Sequence, residues 1–237
     1  MAVETPAGVA VVDLERTPLR ALNLRLHELA GDDPDPRRWR IVNPNGAHAI
    51  ACGLDAPFEV EVAGHAGYYC AGMNQRANVR VHGNVSTGVA ENIMSGSVVV
   101  EGTAGQSAGA TGRGGLLVVH GDAGARCGIS MKGVDIVVRG SVGHLSAFMA
   151  QRGRLVVCGD AGEALGDSIY ETHVYVRGKV ATLGADCIEK ELSEHHVAEL
   201  HALLERADFA DVNAADFRRY GSARELYNFK VDNAGSY

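Results

Sequence analysis

The sequence predicts an all-β solenoid, a right-handed parallel β-helix of about seven 19-residue coils with short flanking α-helices. Three observations predict it. A glycine recurs at one constant interval, at Gly64, Gly83, Gly102, Gly121, Gly140, Gly159 and Gly178, without a single insertion. Two residues before each glycine stands a valine, from Val62 to Val176. Four before it stands a branched aliphatic residue: Val60, Val79, Val98, Leu117, Ile136, Leu155 and Val174. Small residues fill the positions three and seven after the glycine, from Gly67 and Ala71 to Ala181 and Ala185. Such a period marks a solenoid, whose units bury their apolar faces by stacking on one another.

Within a unit, aliphatic residues alternate with other types on the approach to the glycine, which is the pattern of a strand with one buried face. The glycine lets the backbone turn where a Cβ would obstruct it. A unit of this length is too short for a helix-and-strand repeat with loops. It also does not divide into hexapeptides, and the turns lack the Gly-Gly-x-Gly-x-Asp register of calcium-binding rolls. At about 4.8 Å per coil, seven coils extend roughly 34 Å.

Before the repeats, Thr17-Pro18 reads as a helix start. Leu19, Leu22, Leu26 and Leu29 share one face, and Gly31 with Asp32-Asp33-Pro34 ends the helix. Arg40 to Asn45 opens a first, irregular coil. After the repeats, Leu192, His196, Leu200, Leu203 and Ala207 form a second amphipathic stripe. The chain thus divides into a strand-and-helix cap (1–38), the β-helix (39–190), and a C-terminal helix with an aromatic tail (191–237).

The outward column three before each glycine runs Glu61, Arg80, Val99, Val118, Val137, Val156, Tyr175. Five stacked apolar residues on a face expected to meet water mark a contact, made either by a terminal helix of this chain or by a partner subunit. The tail adds Phe217, Tyr220, Tyr227 and Phe229 among arginines, a composition typical of interface anchors and equally suited to packing back on the solenoid. These nine residues are the candidate subunit interface. The column one before the glycine places Glu101 between His82 and His120 and reads as a solvated charge ladder.

Other chemistry finds little support. The net charge of −7 and pI near 5.8 leave no basic surplus for a nucleic-acid partner. The five cysteines contain no Cys-x-x-Cys pair, so neither a zinc ribbon nor a disulfide framework is expected. Cys70 and Cys127 fall in one column three coils apart and read as small buried hydrophobes. Gly102 to Gly115 is glycine-rich but lacks Gly-Lys-Ser/Thr and a loop-to-helix context. His195-His196 has no Glu-x-x-His companion. No catalytic, cofactor-binding or metal-binding constellation is expected in this chain. The opening residues show neither the basic region nor the apolar core of a signal peptide, and no run is long enough to span a membrane. A cytoplasmic location is therefore expected.

Units such as GSVVVEGTAG, GLLVVHGDAG and GRLVVCGDAG resemble the C-terminal β-helix, or GXGXG, domain of the glutamate synthase large subunit. WRIVNPNGAHAIACG resembles that family's lead-in segment, and the similarity spans about Trp39 to Ile188. One polypeptide of formylmethanofuran dehydrogenase carries the same domain and is the nearest alternative; a stand-alone ligand-binding β-helix is another. The chain lacks the amidotransferase and flavin-binding parts of the large subunit, so the resemblance implies the free-standing form. In N-methylglutamate synthase (methylamine–glutamate N-methyltransferase) these parts are separate polypeptides. It implies a non-catalytic scaffold in a hetero-oligomer. The partners would be a class II glutamine amidotransferase-like subunit and an FMN-binding glutamate synthase-like subunit. The latter would hold FMN, with an iron–sulfur cluster as a further candidate cofactor.

Overall fold

A computed structural model describes residues 3–4 and 8–224. The alternating pattern folds as expected into one strand per repeat: β4 (Glu59–Ala63), β5 (Asn78–Val81), β6 (Ser97–Val100), β7 (Leu116–Val119), β8 (Lys132–Val138), β9 (Arg152–Val157) and β10 (His173–Val176). Neighbours pair in parallel, with Val60 beside Val79 and Val79 beside Val98, so like stacks on like. The side chains two and four before the glycine all point inward and are at most 2% exposed. Their burial at about 1.5–3 kcal/mol each is the main force holding the coils in register.

A second parallel ladder runs through Ala66, Val85, Ala104, Ala123, Val142, Ala161 and Val180, two residues after each glycine, on another wall of the coil. In the sequence it is a column of alanine and valine, which alternation alone does not single out. The remaining wall is a run of tight turns. In the coil of Gly102, Ala110 N–H donates to Ser107 and Gly112 N–H to Gly109, at 3.2 Å each. Ser107, Gly109 and Thr111 are all left-handed (φ +59°, +66°, +56°). Turns of this kind need positive φ at their third residue. A non-glycine residue held there costs of order 1–3 kcal/mol and persists only where its surroundings fix it. Here the neighbouring coils do so, because the Ser107 and Thr111 amides bond forward to Ala125 and Ile129 while Gly109 bonds back to Val89.

Polar residues directly after the repeat glycine link the coils again. Asn84 Oδ1 accepts from Thr103 N–H (2.9 Å), Asp122 from Ser141 (2.7 Å), Ser141 Oγ from Asp160 (3.0 Å) and Asp160 from Lys179 (2.7 Å). Each side chain satisfies a backbone donor one coil ahead, at a corner where no strand partner is available.

Both ends are closed by the chain itself. The parallel ladder starts earlier than the repeats, with β2 (Val9–Asp13) beside β3 (Arg38–Val42), and β3 beside β4. β1 (Val3–Glu4) lies antiparallel on β2. Helix α1 (Leu19–Glu28) puts Leu22 and Leu26 into the core. Asn23 ties it to the first coil, donating to Ala49 O at 2.8 Å and accepting from Ala51 N–H at 3.2 Å.

At the other end β12 (Arg218–Ser222) pairs antiparallel with both β10 and β11 (Cys187–Lys190). The aromatic tail therefore supplies a strand that its sequence does not announce, and Tyr220, 2% exposed, closes the end of the inner core. Ending the sheet on short antiparallel strands blunts the edge on which further chains could add. Helix α2 (Glu194–Arg206) lies between these strands in sequence and on the outside of the coils in space.

Candidate functional site

The outward column is where the sequence puts the candidate interface, and the structure places α2 on it. Val118 and Val156 lie at 1% and 0% exposure, with Val137 and Tyr175 also at 0%. Leu200, Leu203, Leu204 and Ala207 of α2 and its end, with Phe209, Val212, Ala214 and Phe217 beyond it, complete this second core. Val99, at the margin, is half-buried against it. Of the two occupants the sequence left open, the chain's own helix fills the position. A partner cannot reach Val118, Val137, Val156, Tyr175 or Phe217 while α2 stays docked, because their surface is taken up by an internal contact. Tyr220 belongs to the inner core instead. Tyr227 and Phe229 lie outside the described residues.

The helix is also locked at its edges. Arg139 donates to Asp211 Oδ1 at 2.8 Å and stacks on Phe209, 5.0 Å from the ring centroid. His120 meets the same ring edge-on at 5.1 Å. His120 is thereby separated from Glu101, which pairs instead with His82 Nδ1 (2.9 Å) and Arg80 (3.2 Å). The hydrogen bond from His82 and the Arg80 charge hold the Glu101 carboxyl below its usual range. Only the His82–Glu101 part of the expected charge ladder is present and open to water; His120 and Arg139 pack on Phe209, and Cys158 of the same column is buried.

Beyond the margin of the apolar stripe the structure gathers a polar network that sequence columns do not reveal. Tyr175 O–H donates to Glu199 Oε1 at 2.7 Å, and His173 Nδ1 lies 3.2 Å from the same oxygen. Arg154 reaches Glu199 at 3.5 Å and makes a two-pronged contact with Asp135 (2.7 and 3.0 Å), to which Arg206 of α2 adds a third link at 3.3 Å. Burial pushes Glu199 upward, but the hydrogen bonds from Tyr175 and His173 and the Arg154 charge outweigh it, so its pKa falls below the ordinary value. Burial and then the Glu199 carboxylate push the Tyr175 phenol up. The phenol is thus held as a donor, and the network clamps α2 to β8, β9 and β10. Its members come from successive rungs and from a helix beyond the last of them, a juxtaposition only the fold creates.

This network borders an open groove of about 570 Å³ lined by Arg113, Lys132, Gly133, Arg152, Gly153, Arg154, Glu171, His173 and Glu199. Among the described residues no three histidine, cysteine, aspartate or glutamate side chains come together as a metal site. Cys70 and Cys127 are fully buried, and burial pushes each thiol up to about 12. His196 serves the start of α2, its Nδ1 accepting from Ser193 N–H at 3.2 Å, and burial lowers its pKa. Among the described residues no helix is long and apolar enough to cross a membrane.

No family model matches the chain. It is 59% identical over 227 residues to Protein GlxC of Rhizobium meliloti (strain 1021), covering 96% of this chain and 99% of that protein.

Proposed function

The chain belongs to the GlxC family, and from that premise we propose that it is a non-catalytic scaffold subunit of a multi-subunit glutamate synthase-type enzyme. In this reading it holds a class II amidotransferase-like subunit and an FMN-dependent synthase subunit together, and the assembly makes glutamate or N-methylglutamate.

The observation that carries the proposal is the uninterrupted seven-coil repeat, whose units resemble the β-helix domain of the glutamate synthase large subunit. Two further features support it. The similarity to the relative extends over 96% of this chain and 99% of that protein, so it takes in the whole repeat region and not one coil of it. A stacked-coil body with hydrogen bonds in every rung is also a rigid spacer, which suits a part that must keep two active sites at a fixed separation. Fold alone does not fix a reaction, and the site chemistry belongs in this reading to the partners.

The test is gentle affinity purification of the tagged chain from its native host, followed by native mass spectrometry and a flavin absorbance scan. Recovery with an amidotransferase-like chain and a yellow flavoprotein is the expected result. Assays of glutamate and N-methylglutamate formation on that complex would then identify the product. A colourless preparation containing this chain alone would overturn the proposal, and a molybdenum- or tungsten-containing partner would replace it with the formylmethanofuran dehydrogenase role.

A further inference from the structure

The groove beside the Asp135–Arg154 network differs from the rest of the surface in how its charge is arranged. Several cations of the coils are matched by carboxylates on neighbouring rungs: Arg40 with Glu61, Arg80 with Glu101, Arg154 with Asp135. Among the described residues Arg113, Lys132 and Arg152 make no such pair, and unlike other unpaired cations of the coils, such as Arg126 and Lys179, they stand in one column. Lys132 and Arg152 are register partners on β8 and β9, and Lys132 N–H donates to Gly112 O, which sets Arg113 on the rung before. Three cations therefore stand on three successive rungs. All three are exposed, and among the described residues none has a side-chain hydrogen bond or ion pair. Like charges stacked directly opposite one another are unfavourable, so the solenoid carries this column at some cost. It does so in a chain whose formal net charge is −7.

The floor beneath them is built to stay open. A register shift between Lys132 and Asp135 interrupts the β8–β9 ladder, and such bulges redirect side chains. Gly133 (φ +143°) and Gly153 (φ +108°) sit at the bulge, where a Cβ would come within 2.5 Å of Arg113 O and 2.3 Å of Val134 O respectively. No side chain can fill that floor. On the far wall, Glu199 is already engaged by Tyr175, His173 and Arg154. Among the described residues that leaves Glu171 as the one carboxylate of the groove without a side-chain partner. The groove thus keeps a cationic surplus.

We propose that this groove docks an acidic segment of a partner protein, whose carboxylates pair with Arg113, Lys132 and Arg152. The inference rests on the subunit reading above for the existence of a partner. The spacing favours a chain over a small anion: at about 4.8 Å per rung the three cations span roughly 10 Å, more than one phosphate can bridge, whereas carboxylates one turn apart on a helix lie about 5–6 Å from each other. A long nucleic-acid polyanion is disfavoured by the negative charge of the rest of the chain.

The full-length chain and two triple variants are compared by fluorescence anisotropy with a labelled hexaglutamate peptide at low salt. One variant is Arg113→Gln/Lys132→Gln/Arg152→Gln. The other, Arg20→Gln/Arg126→Gln/Lys179→Gln, removes the same charge from exposed positions elsewhere. Saturable binding that weakens on the order of tenfold in the groove variant only is expected. Absence of binding, or equal weakening in both variants, overturns the proposal. So does competition by inorganic phosphate beyond that of sodium chloride at equal ionic strength, which would mark a compact-anion site. In a parallel arm the tagged variants are purified from the host. Partners retained equally by wild type and groove variant would sink the docking inference while leaving the subunit reading intact. Partners missing from wild type would sink the subunit reading, while the peptide arm still decides the groove.

Discussion

Replacing Val118 and Val137 together by aspartate tests how the two cores divide the fold. Both side chains are fully buried, and both point away from the inner core, into the layer formed with α2. Losing their apolar burial costs about 1.5–3 kcal/mol apiece, so about 3–6 kcal/mol for the pair. Keeping two carboxylates buried without partners would cost several kcal/mol more, and the chain avoids that cost by lifting α2 into solvent. The inner columns are untouched: Leu117, Val119, Ile136 and Val138 stay at 0% exposure on the opposite face of the same strands. Hydrogen exchange should therefore show α2 amides losing protection while β4 to β7 keep theirs, with proteolytic cleavage appearing between residues 190 and 217. Unchanged protection of α2 with an unchanged melting temperature would refute the covering of the stripe. Loss of protection throughout the solenoid would refute the independence of the two cores.

Three further outcomes follow from the same packing. Tyr220→Ala should lower stability by about 3–5 kcal/mol, as an aromatic is removed from the closed end of the core; a denaturant midpoint that does not move would count against the end-cap role. Gly109→Val should cost about 2 kcal/mol or more, because φ is +66° and the new Cβ would come within 2.5 Å of Ile136 Cδ1; thermal melting beside Gly109→Ala, which has the same φ and the same Cβ contact, isolates the cost of the two further methyl groups. Glu199 has a folded pKa below its usual value, so its contribution is present above the ordinary carboxylate range and is lost as pH falls through the depressed value. Urea midpoints of wild type should therefore fall faster than those of Glu199→Gln below about pH 4.5, and parallel curves would show that the Tyr175–His173–Arg154 contacts do not depend on its charge.

The solenoid is written in the order of residues alone. Valines at Val62, Val81 and Val100 and their successors occur at one fixed period, and a period is a local property that can be read without knowing what touches what. Parallel stacking then follows, since identical units bury identical faces only by lying in register. The stripe from Val99 to Tyr175 is legible for the same reason, as is the helical periodicity from Leu192 to Ala207. Which of these surfaces meet is settled only in three dimensions. Nothing local says that Leu200 and Leu203 share a core with Val137 and Val156, or that Phe217 joins them while Tyr220 turns into the inner core. These are contacts between segments of different period, and no column aligns them.

The charged groove is hidden by a further effect. Arg113 and Lys132 keep the interval of the repeat, but Arg152 falls one residue beyond it, because the bulge between β8 and β9 shifts the register at Lys132. One extra residue in one rung takes Arg152 out of the repeat frame in sequence while bringing it beside Lys132 in space. The Asp135–Arg154–Glu199 network likewise joins two rungs to a helix, and its members carry no motif. Periodicity specifies the body of this protein, and the departures from periodicity specify its surface.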